Sequence, residues 1–580
     1  MALKKKKKKK RKLGSLRGAG GGGSSVESSP YRPRYAEKMP PCINRCPSGI
    51  NIRGFITAIG LAEKREISYE EAYKLSWEIY TDNSPIPACT GRVCPHPCET
   101  ECNRKEKEGA VSINCMERFV GDRGLKNGYK LVKLSEEALS EKIAVIGSGP
   151  AGLSCAYQLA RRGYKVTIFE AFPKPGGMLR YGIPPYRLPR EIIDAEVERL
   201  SNDLGVEIKY NTKVGNDIPY DDLRKEFDVI FVAIGAHQGR LLRVDGEDAS
   251  NVFTGTGFLH DANNGEKTEI GDKVIVIGGG DTAIDAARVS KRLGANVSIY
   301  YRRTRTEMPA IEEEIEGALE EDINIEYLVA PIGVAKEGDK AVSMKCQRME
   351  LGEPDDSGRR RPVPIEGSEF EVPCTSIIAA ISQEPDFSGL DNLREGKDWI
   401  KVDENGKTKD DSVYAGGDAL DLALVTDAVG HGRRAAEAIH SKLSGVVKEK
   451  HIMEVVTADK MQLPYYETKE RQQFGILPVE KRFEGDGNVE IYHTFTDEQA
   501  IEEAKRCMSC GGCFDCGTCW SYCQDNAIIK PLIPLGEYKF KLEYCNGCKK
   551  CAEQCPCGYI EMYDPSTGQA VPMNEIKIGG

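Results

Sequence analysis

The sequence predicts an α/β fold: two doubly wound units, preceded by a helical cysteine-bearing domain and followed by a small cysteine-rich module. Three observations predict it. From Lys142 to about Gly445, apolar runs such as Ile143–Ile146, Val166–Phe169, Val229–Val232 and Val274–Ile277 alternate with amphipathic stretches. That is the pattern of buried parallel strands joined by helices. Two of the runs feed glycine-rich turns, at Gly147 and Gly278. The cysteines lie in two dense groups, Cys42 to Cys115 and Cys507 to Cys557, with Cys155, Cys346 and Cys374 between them.

The chain has 580 residues, 40% of them hydrophobic, enough for about three or four cores. A net charge of −10 and a pI near 5.6 argue against a general nucleic-acid binder. No long apolar run offers a membrane span, and no apolar segment follows the N-terminal lysines. The expectation is a soluble, cytoplasmic protein. Its 21 cysteines read as metal ligands in a reducing compartment rather than as disulfides, because they fall in tight, repeated spacings.

Residues 1–30 read as a basic disordered tail: Lys4 to Lys10, Arg11 and Lys12 repel one another, and the Gly/Ser stretch after them is costly to order. A solvated arm is the plain reading, and docking onto an acidic partner the functional one. Residues 31–135 form the helical cysteine domain, with helices over Ile52–Lys64 and Tyr69–Tyr80. The first α/β unit takes 141–265 and 376–447, with the second inserted at 266–375. A polar linker follows at 448–505, then the terminal module at 506–580.

Ile143 to Gly152 reads Ile-Ala-Val-Ile-Gly147-Ser-Gly149-Pro150-Ala151-Gly152, a strand entering G-x-G-x-x-G. The first glycine makes the tight turn and the second admits a pyrophosphate. The third lets helix pack on strand, and the phosphate rests on the helix N-terminus. Glu170 ends the next strand, where a carboxylate can bind a ribose hydroxyl. The pattern recurs at Gly278-Gly-Gly280-Asp281-Thr282-Ala283. Tyr301 stands in the equivalent place of the acid, followed by Arg302 and Arg303. Loss of the carboxylate and gain of guanidinium groups suit a 2′-phosphate, hence NADP(H) over NAD(H); the alternative is a pair of solvated loop arginines.

Near the C-terminus, Cys513-x2-Cys516-x2-Cys519-x3-Cys523 and Cys545-x2-Cys548-x2-Cys551-x3-Cys555-Pro556 make the two-cluster bacterial ferredoxin pattern. In it the fourth cysteine of each run crosses to the other [4Fe–4S] cage. One set is then Cys513, Cys516, Cys519 and Cys555. The other is Cys545, Cys548, Cys551 and Cys523. Gln524 replaces the usual proline, which supplies no ligand.

With Gly176-Gly177-Met-Leu-Arg180-Tyr-Gly-Ile-Pro184, Ala233-Ile-Gly235 and Tyr414-Ala-Gly416-Gly417-Asp418, the α/β part resembles the two-dinucleotide flavoprotein reductases. That resemblance implies FAD in the first Rossmann-like domain and NAD(P)H in the inserted one. It implies Gly177, Arg180, Gly417 and Asp418 around the flavin, with the helix near Thr426 aimed at the isoalloxazine. Cys155 stands alone on an apolar helix face and reads as core, so disulfide-reductase chemistry is not expected.

Residues 36–445, with Cys42-x3-Cys46-Pro, Cys94-x3-Cys98-x3-Cys102, Met116-Glu117-Arg118-Phe119 and Tyr301-Arg-Arg-Thr304, look like the glutamate synthase small subunit. The resemblance implies one cluster on Cys46, Cys94, Cys98 and Glu117, and a second that takes Cys42 and Cys102. That second cluster normally draws two more cysteines from an upstream Arg-Cys-x-x-Cys. Residues 1–41 contain no cysteine. Glu503-Ala-Lys-Arg506-Cys507-Met-Ser-Cys510 has the missing form at the far end, and the expectation is that Cys507 and Cys510 complete the set, within one chain or across a homodimer. The remaining Cys89, Cys115, Cys155, Cys346, Cys374 and Cys557 read as structural.

These readings combine into an NAD(P)H:acceptor oxidoreductase passing electrons through FAD and four [4Fe–4S] clusters to a redox partner protein. No acid–base residue is implied, because the cofactors carry the chemistry. The combination of this chain type with a C-terminal ferredoxin module resembles the DsrL-type partner of dissimilatory sulfite reductase. The alternatives are a glutamate synthase small subunit, an electron-bifurcating transhydrogenase subunit, or a passive electron wire.

Overall fold

The computed structural model describes residues 28–266, 268–355, 358–394, 399–446 and 452–578; the expected basic tail lies almost wholly outside them. The first α/β sheet is parallel throughout. Its strands run in the order Val413–Ala415, Val229–Val232, Lys142–Ile146, Lys165–Phe169, Glu207–Lys209. The inner strands are buried on both faces, as their unbroken Val/Ile/Phe runs require. The second sheet, also parallel, orders Asn324–Tyr327, Asn296–Tyr301, Lys273–Ile277, Ser376–Ala379, Val252–Thr254.

Val252–Thr254 and Ser376–Ala379 thus belong to the second unit, so that unit extends beyond the expected 266–375 on both sides. The physical reason is pairing: Ile377 and Ile378 are registered between Ile275 and Val276 on one side and Val252 and Phe253 on the other. The chain crosses between the units through a two-stranded ribbon, Gln238–Gly239 against Gln383–Glu384. An antiparallel meander, Val329–Glu337, Lys340–Pro354 and Arg360–Pro373, packs beside the second sheet.

The N-terminal helical domain shares one core with the first unit. Helix Tyr69–Thr81 opens on a Ser68–Glu71 capping box and buries Tyr73, Trp77 and Tyr80. Its end meets helix Pro150–Ala160, where the Tyr157 hydroxyl donates to the Thr81 carbonyl at 2.6 Å. The long helix Val425–Ser444 crosses the same helix so closely that a Cβ on Gly432 would stand 2.2 Å from the Ala151 carbonyl oxygen. Only glycine fits there.

Two further features depart from the sequence reading. Strand Arg32–Tyr35, expected within the helical domain, pairs antiparallel with Ile560–Tyr563 and so belongs to the C-terminal module. The segment expected as a linker is packed from Glu454 onward. Val456 donates to the Met39 carbonyl, and Asn103 donates to the Val456 carbonyl at 3.0 Å. Arg92 and Arg118, whose side chains are each only 4% exposed, pair with Glu490 at 2.7 and 2.8 Å. Ile491 donates to the Tyr186 carbonyl at 3.1 Å, and Arg292 to that of Gly487 at 2.9 Å. The segment is a strap joining the helical domain to both α/β units. Among the described residues no helix is long and apolar enough to cross a membrane.

Candidate active site and cysteine clusters

A cleft of about 470 Å³ opens at the C-terminal ends of the first sheet's strands. Gly147, Gly149, Pro150, Ala151, Glu170, Gly177, Gly417 and Asp418 all line it. The three fingerprint glycines divide the work. Gly147 takes φ +102°, open to glycine above other residues. A Cβ on Gly149 would meet nothing within 4 Å, so its backbone faces the open cleft. A Cβ on Gly152 would stand 2.0 Å from the Gly147 carbonyl, which fixes helix against strand. Glu170 is buried and accepts from the amides of Ser148 and Phe172, both at 2.9 Å; burial raises its pKa. Asp418 is pushed up to about 6 by burial.

Two expected cleft residues stand elsewhere. Arg180 turns its guanidinium to the Pro175 carbonyl at 2.6 Å and to Asp194, and does not line the cleft. Thr426 is one residue inside helix Val425–Ser444 and turns away from the cleft. Its hydroxyl lies 2.7 Å from the Ser48 hydroxyl and 3.9 Å from the Cys46 sulfur. The helix start, Leu424 and Val425, lines the cleft instead.

A second cleft is lined by Gly278, Gly280, Thr282, Arg302 and Arg303. Ala283 is fully buried beneath the Gly278 turn, and Asp281 faces the first cleft, where it accepts from the Ile311 amide at 2.9 Å. Arg302 is exposed, but Arg303 is buried, pairs with Asp355 at 2.7 Å and donates to the Arg360 carbonyl. Arg359, which the sequence reading did not single out, lines the same cleft; it lies too far along the chain for any spacing rule to find. Thr256, Thr282, Gln383, Asp418 and Ala423 line both clefts. The two are continuous.

The thiols gather in sets. Burial, then the neighbouring thiols of Cys510, Cys102 and Cys507, push the Cys42 thiol up. Burial and then Cys102 likewise push Cys507 to about 11. Cys42, Cys102, Cys507 and Cys510 are therefore neighbours. Nearer the cleft, burial followed by Glu117 and Cys46 raises Cys94, and Cys98 is raised by burial with Glu99, Cys94, Cys46 and Glu117 beside it. Glu117 accepts from the Tyr80 hydroxyl, and burial lifts it to about 7. In the C-terminal module one cavity is lined by Cys513, Cys516, Cys519 and Cys555, and another by Cys523, Cys545, Cys548 and Cys551. Cys557 lines the first of these. Among the described residues no three ligating groups sit close enough to grip a single ion; in the C-terminal module the thiols are spread around the two cavities.

The clefts and the nearest cysteines meet. Val93 and Pro95, which flank Cys94, line the first cleft. Residues 141–432 match the pyridine nucleotide-disulphide oxidoreductase family. The chain belongs to that family. Residues 35–129 of this oxidoreductase match the dihydropyrimidine dehydrogenase domain II, 4Fe–4S cluster, family. It is 39% identical over 514 residues to the NADPH-Fe(3+) oxidoreductase subunit beta of Geobacter sulfurreducens, covering 81% of this chain and 75% of that one. It is 39% identical over 508 residues to the NADP(+)-dependent formate dehydrogenase subunit beta of Moorella thermoacetica, with 81% and 70% covered. The glutamate synthase [NADPH] small chain of Escherichia coli is 35% identical over 398 residues, with 64% and 82% covered. The oxidoreductase is thus an iron–sulfur flavoprotein of the glutamate synthase small-subunit type, and an enzyme.

Proposed function

We propose that this oxidoreductase takes electrons from NADPH and delivers them singly to a partner protein. FAD would occupy the first cleft, NADPH the second, and four [4Fe–4S] clusters the four thiol sets. One observation carries the reading: residues on both sides of Cys94 line the flavin cleft, which is itself continuous with the nucleotide cleft. When bound, the flavin exchanges a hydride with the nicotinamide and single electrons with the clusters.

The chain's own residues hold and orient. The amides at the start of helix Pro150–Ala160 would hold the pyrophosphate of a bound FAD beside Gly149. The N-terminus of helix Val425–Ser444 presents its positive end to the cleft and favours negative charge there. Arg302 offers an exposed guanidinium for a 2′-phosphate, while Arg303 is committed to Asp355. Thr426, held by Ser48, spaces the helix start from Cys46.

The relatives named as beta subunits favour a chain that works in a complex. Dissimilatory sulfite reductase, the partner that the DsrL resemblance implies, is one acceptor to test by anaerobic affinity purification. The functional test is rapid mixing with NADPH without oxygen: flavin bleaching should precede cluster bleaching. Clusters that stay oxidised while the flavin is reduced would sink the reading.

A further inference from the structure

The two C-terminal cavities are alike in thiols and unlike in what surrounds them. Beside the first, the Tyr35 hydroxyl is buried, has no hydrogen-bond partner and faces the Cys519 thiol. The Cys557 side chain is buried, lines the same cavity, and puts its sulfur 3.8 Å from that of Cys555. The Tyr559 amide also donates to the Cys555 sulfur at 3.3 Å. Tyr538, the other hydroxyl lining this cavity besides Tyr559, is spent on Asp515.

The second cavity is walled by Pro33, Ala527, Ile528, Phe540 and Met562. Its sulfurs receive backbone amides, Ala527 to Cys523 at 3.2 Å and Gly547 to Cys545 at 3.4 Å. Its polar lining residues are otherwise engaged. Lys549 reaches the Met573 carbonyl at 3.1 Å and Glu553 at 3.1 Å, and Asp525 accepts from Asn546.

Adding an electron to a cage raises the negative charge on its sulfurs, so a donor stabilises the reduced form more than the oxidised one. Amides serve both cavities. Among the described residues, uncommitted side-chain donors face sulfur only at the first; the Arg32 guanidinium lies near Cys545 of the second but is held by the Ser29 and Tyr31 carbonyls. We propose that Tyr35 and Cys557 donate hydrogen bonds to the sulfurs of the Cys513/Cys516/Cys519/Cys555 cage and hold its reduction potential above that of its neighbour.

The proposal rests on the reading of both cavities as [4Fe–4S] sites. Under it Cys557 is a tuning thiol rather than a ligand, because Cys555 already fills the fourth place of the ferredoxin spacing. Its placement suits an electron relay. Cys557 and Cys510 both lie near the half-buried ring of Tyr466, and the Gly511 amide donates to the Cys557 carbonyl at 2.7 Å. The higher-potential cage is thus the one facing the Cys42/Cys102/Cys507/Cys510 set, where it collects electrons. The apolar cage stands farther along.

The test is an anaerobic redox titration of the full-length holoprotein, followed by electron paramagnetic resonance, with iron counted in each sample. Wild-type protein should show two ferredoxin-type signals with separate midpoints. Tyr35→Phe and Cys557→Ala should each lower the upper midpoint, leave the lower one in place and retain all iron. Cys557→Ser, which keeps a donor, should stay close to wild type. Unmoved midpoints with full iron overturn the proposal. Loss of about four irons in Cys557→Ala also overturns it, by making Cys557 a ligand. Wild-type protein without the two ferredoxin signals removes the cage reading, and the proposal with it.

Discussion

Arg104 donates a 2.7 Å hydrogen bond to the main-chain carbonyl of Arg506, tying the residue two places after Cys102 to the residue just before Cys507. Arg506 is itself fully buried. It pairs with Glu503 at 2.6 Å and donates to the Gly109 and Ala110 carbonyls at 2.8 and 2.9 Å. Glu503, equally buried, accepts from the amides of Ser112 at 2.7 Å and Gln472 at 2.8 Å. Two ends of the chain are fastened here by charge that water cannot reach.

Removing one partner of such a pair leaves the other charge buried and unpaired, which costs about 3–5 kcal/mol. Arg506→Ala should therefore destabilise the protein by about that amount and free the C-terminal module first. Limited proteolysis should cut between the strap and the module in the variant and not in wild type. Equal resistance in both would show that the apolar contacts alone hold the module.

Cofactor preference should follow Arg302. Wild-type protein should be reduced more efficiently by NADPH than by NADH. Arg302→Ala should cost about 1.5–3 kcal/mol in kcat/KM for NADPH, the worth of a charge-assisted hydrogen bond, and little for NADH. Arg303→Ala should instead lower stability, because the buried guanidinium's 2.7 Å pairing with Asp355 and its hydrogen bond to the Arg360 carbonyl are lost. An unchanged NADPH-to-NADH ratio in Arg302→Ala would place the 2′-phosphate elsewhere.

Glu196 gives a pH dependence with a definite sign. It lies in helix Arg190–Leu204, is fully buried, and accepts from the Ala88 amide at 2.8 Å, across the contact between the first α/β unit and the helical domain. Burial raises its pKa to about 7 from an ordinary 4.5. The folded state then binds the proton more tightly than the unfolded one. Its contribution is complete below pH 4.5 and is lost as pH rises through 7, amounting to at most about 3 kcal/mol. Glu196→Gln should keep the amide bond and flatten stability between those limits, measured by denaturant unfolding at each pH. A variant with the wild-type slope would assign the pH dependence to another group.

Much of the site was legible because its signals are local. The turn at Gly147 and the doubled cysteine runs each declare their geometry within a few residues, and the structure gathers Cys513, Cys516 and Cys519 with Cys555 around one cavity. The Arg-Cys-x-x-Cys form at Arg506 to Cys510, set against the family resemblance, points to Cys42 and Cys102, and the four thiols are neighbours in the structure. What escaped was long-range. The pairing of Arg32–Tyr35 with Ile560–Tyr563 depends on the whole fold, since four residues carry too little pattern to name a partner strand. The strap carries few periodic residues, because scattered apolar anchors such as Val456, Met461, Ile491 and Phe495, together with carboxylates and carbonyls, fasten it rather than one continuous apolar face. Arg180 and Thr426 sit in motifs that mark the flavin region, yet nearer partners, Asp194 and Ser48, decide where they point.

The central claim is that the two ends of this chain close one cluster site around Cys42, Cys102, Cys507 and Cys510. The most direct measurement is iron per chain in anaerobically purified wild type and in the Cys507→Ser, Cys510→Ser double variant. The account predicts about 16 irons falling to about 12, with the ferredoxin-type signals retained. Wild-type protein with about 12 irons, or a double variant that keeps the wild-type count, would contradict it.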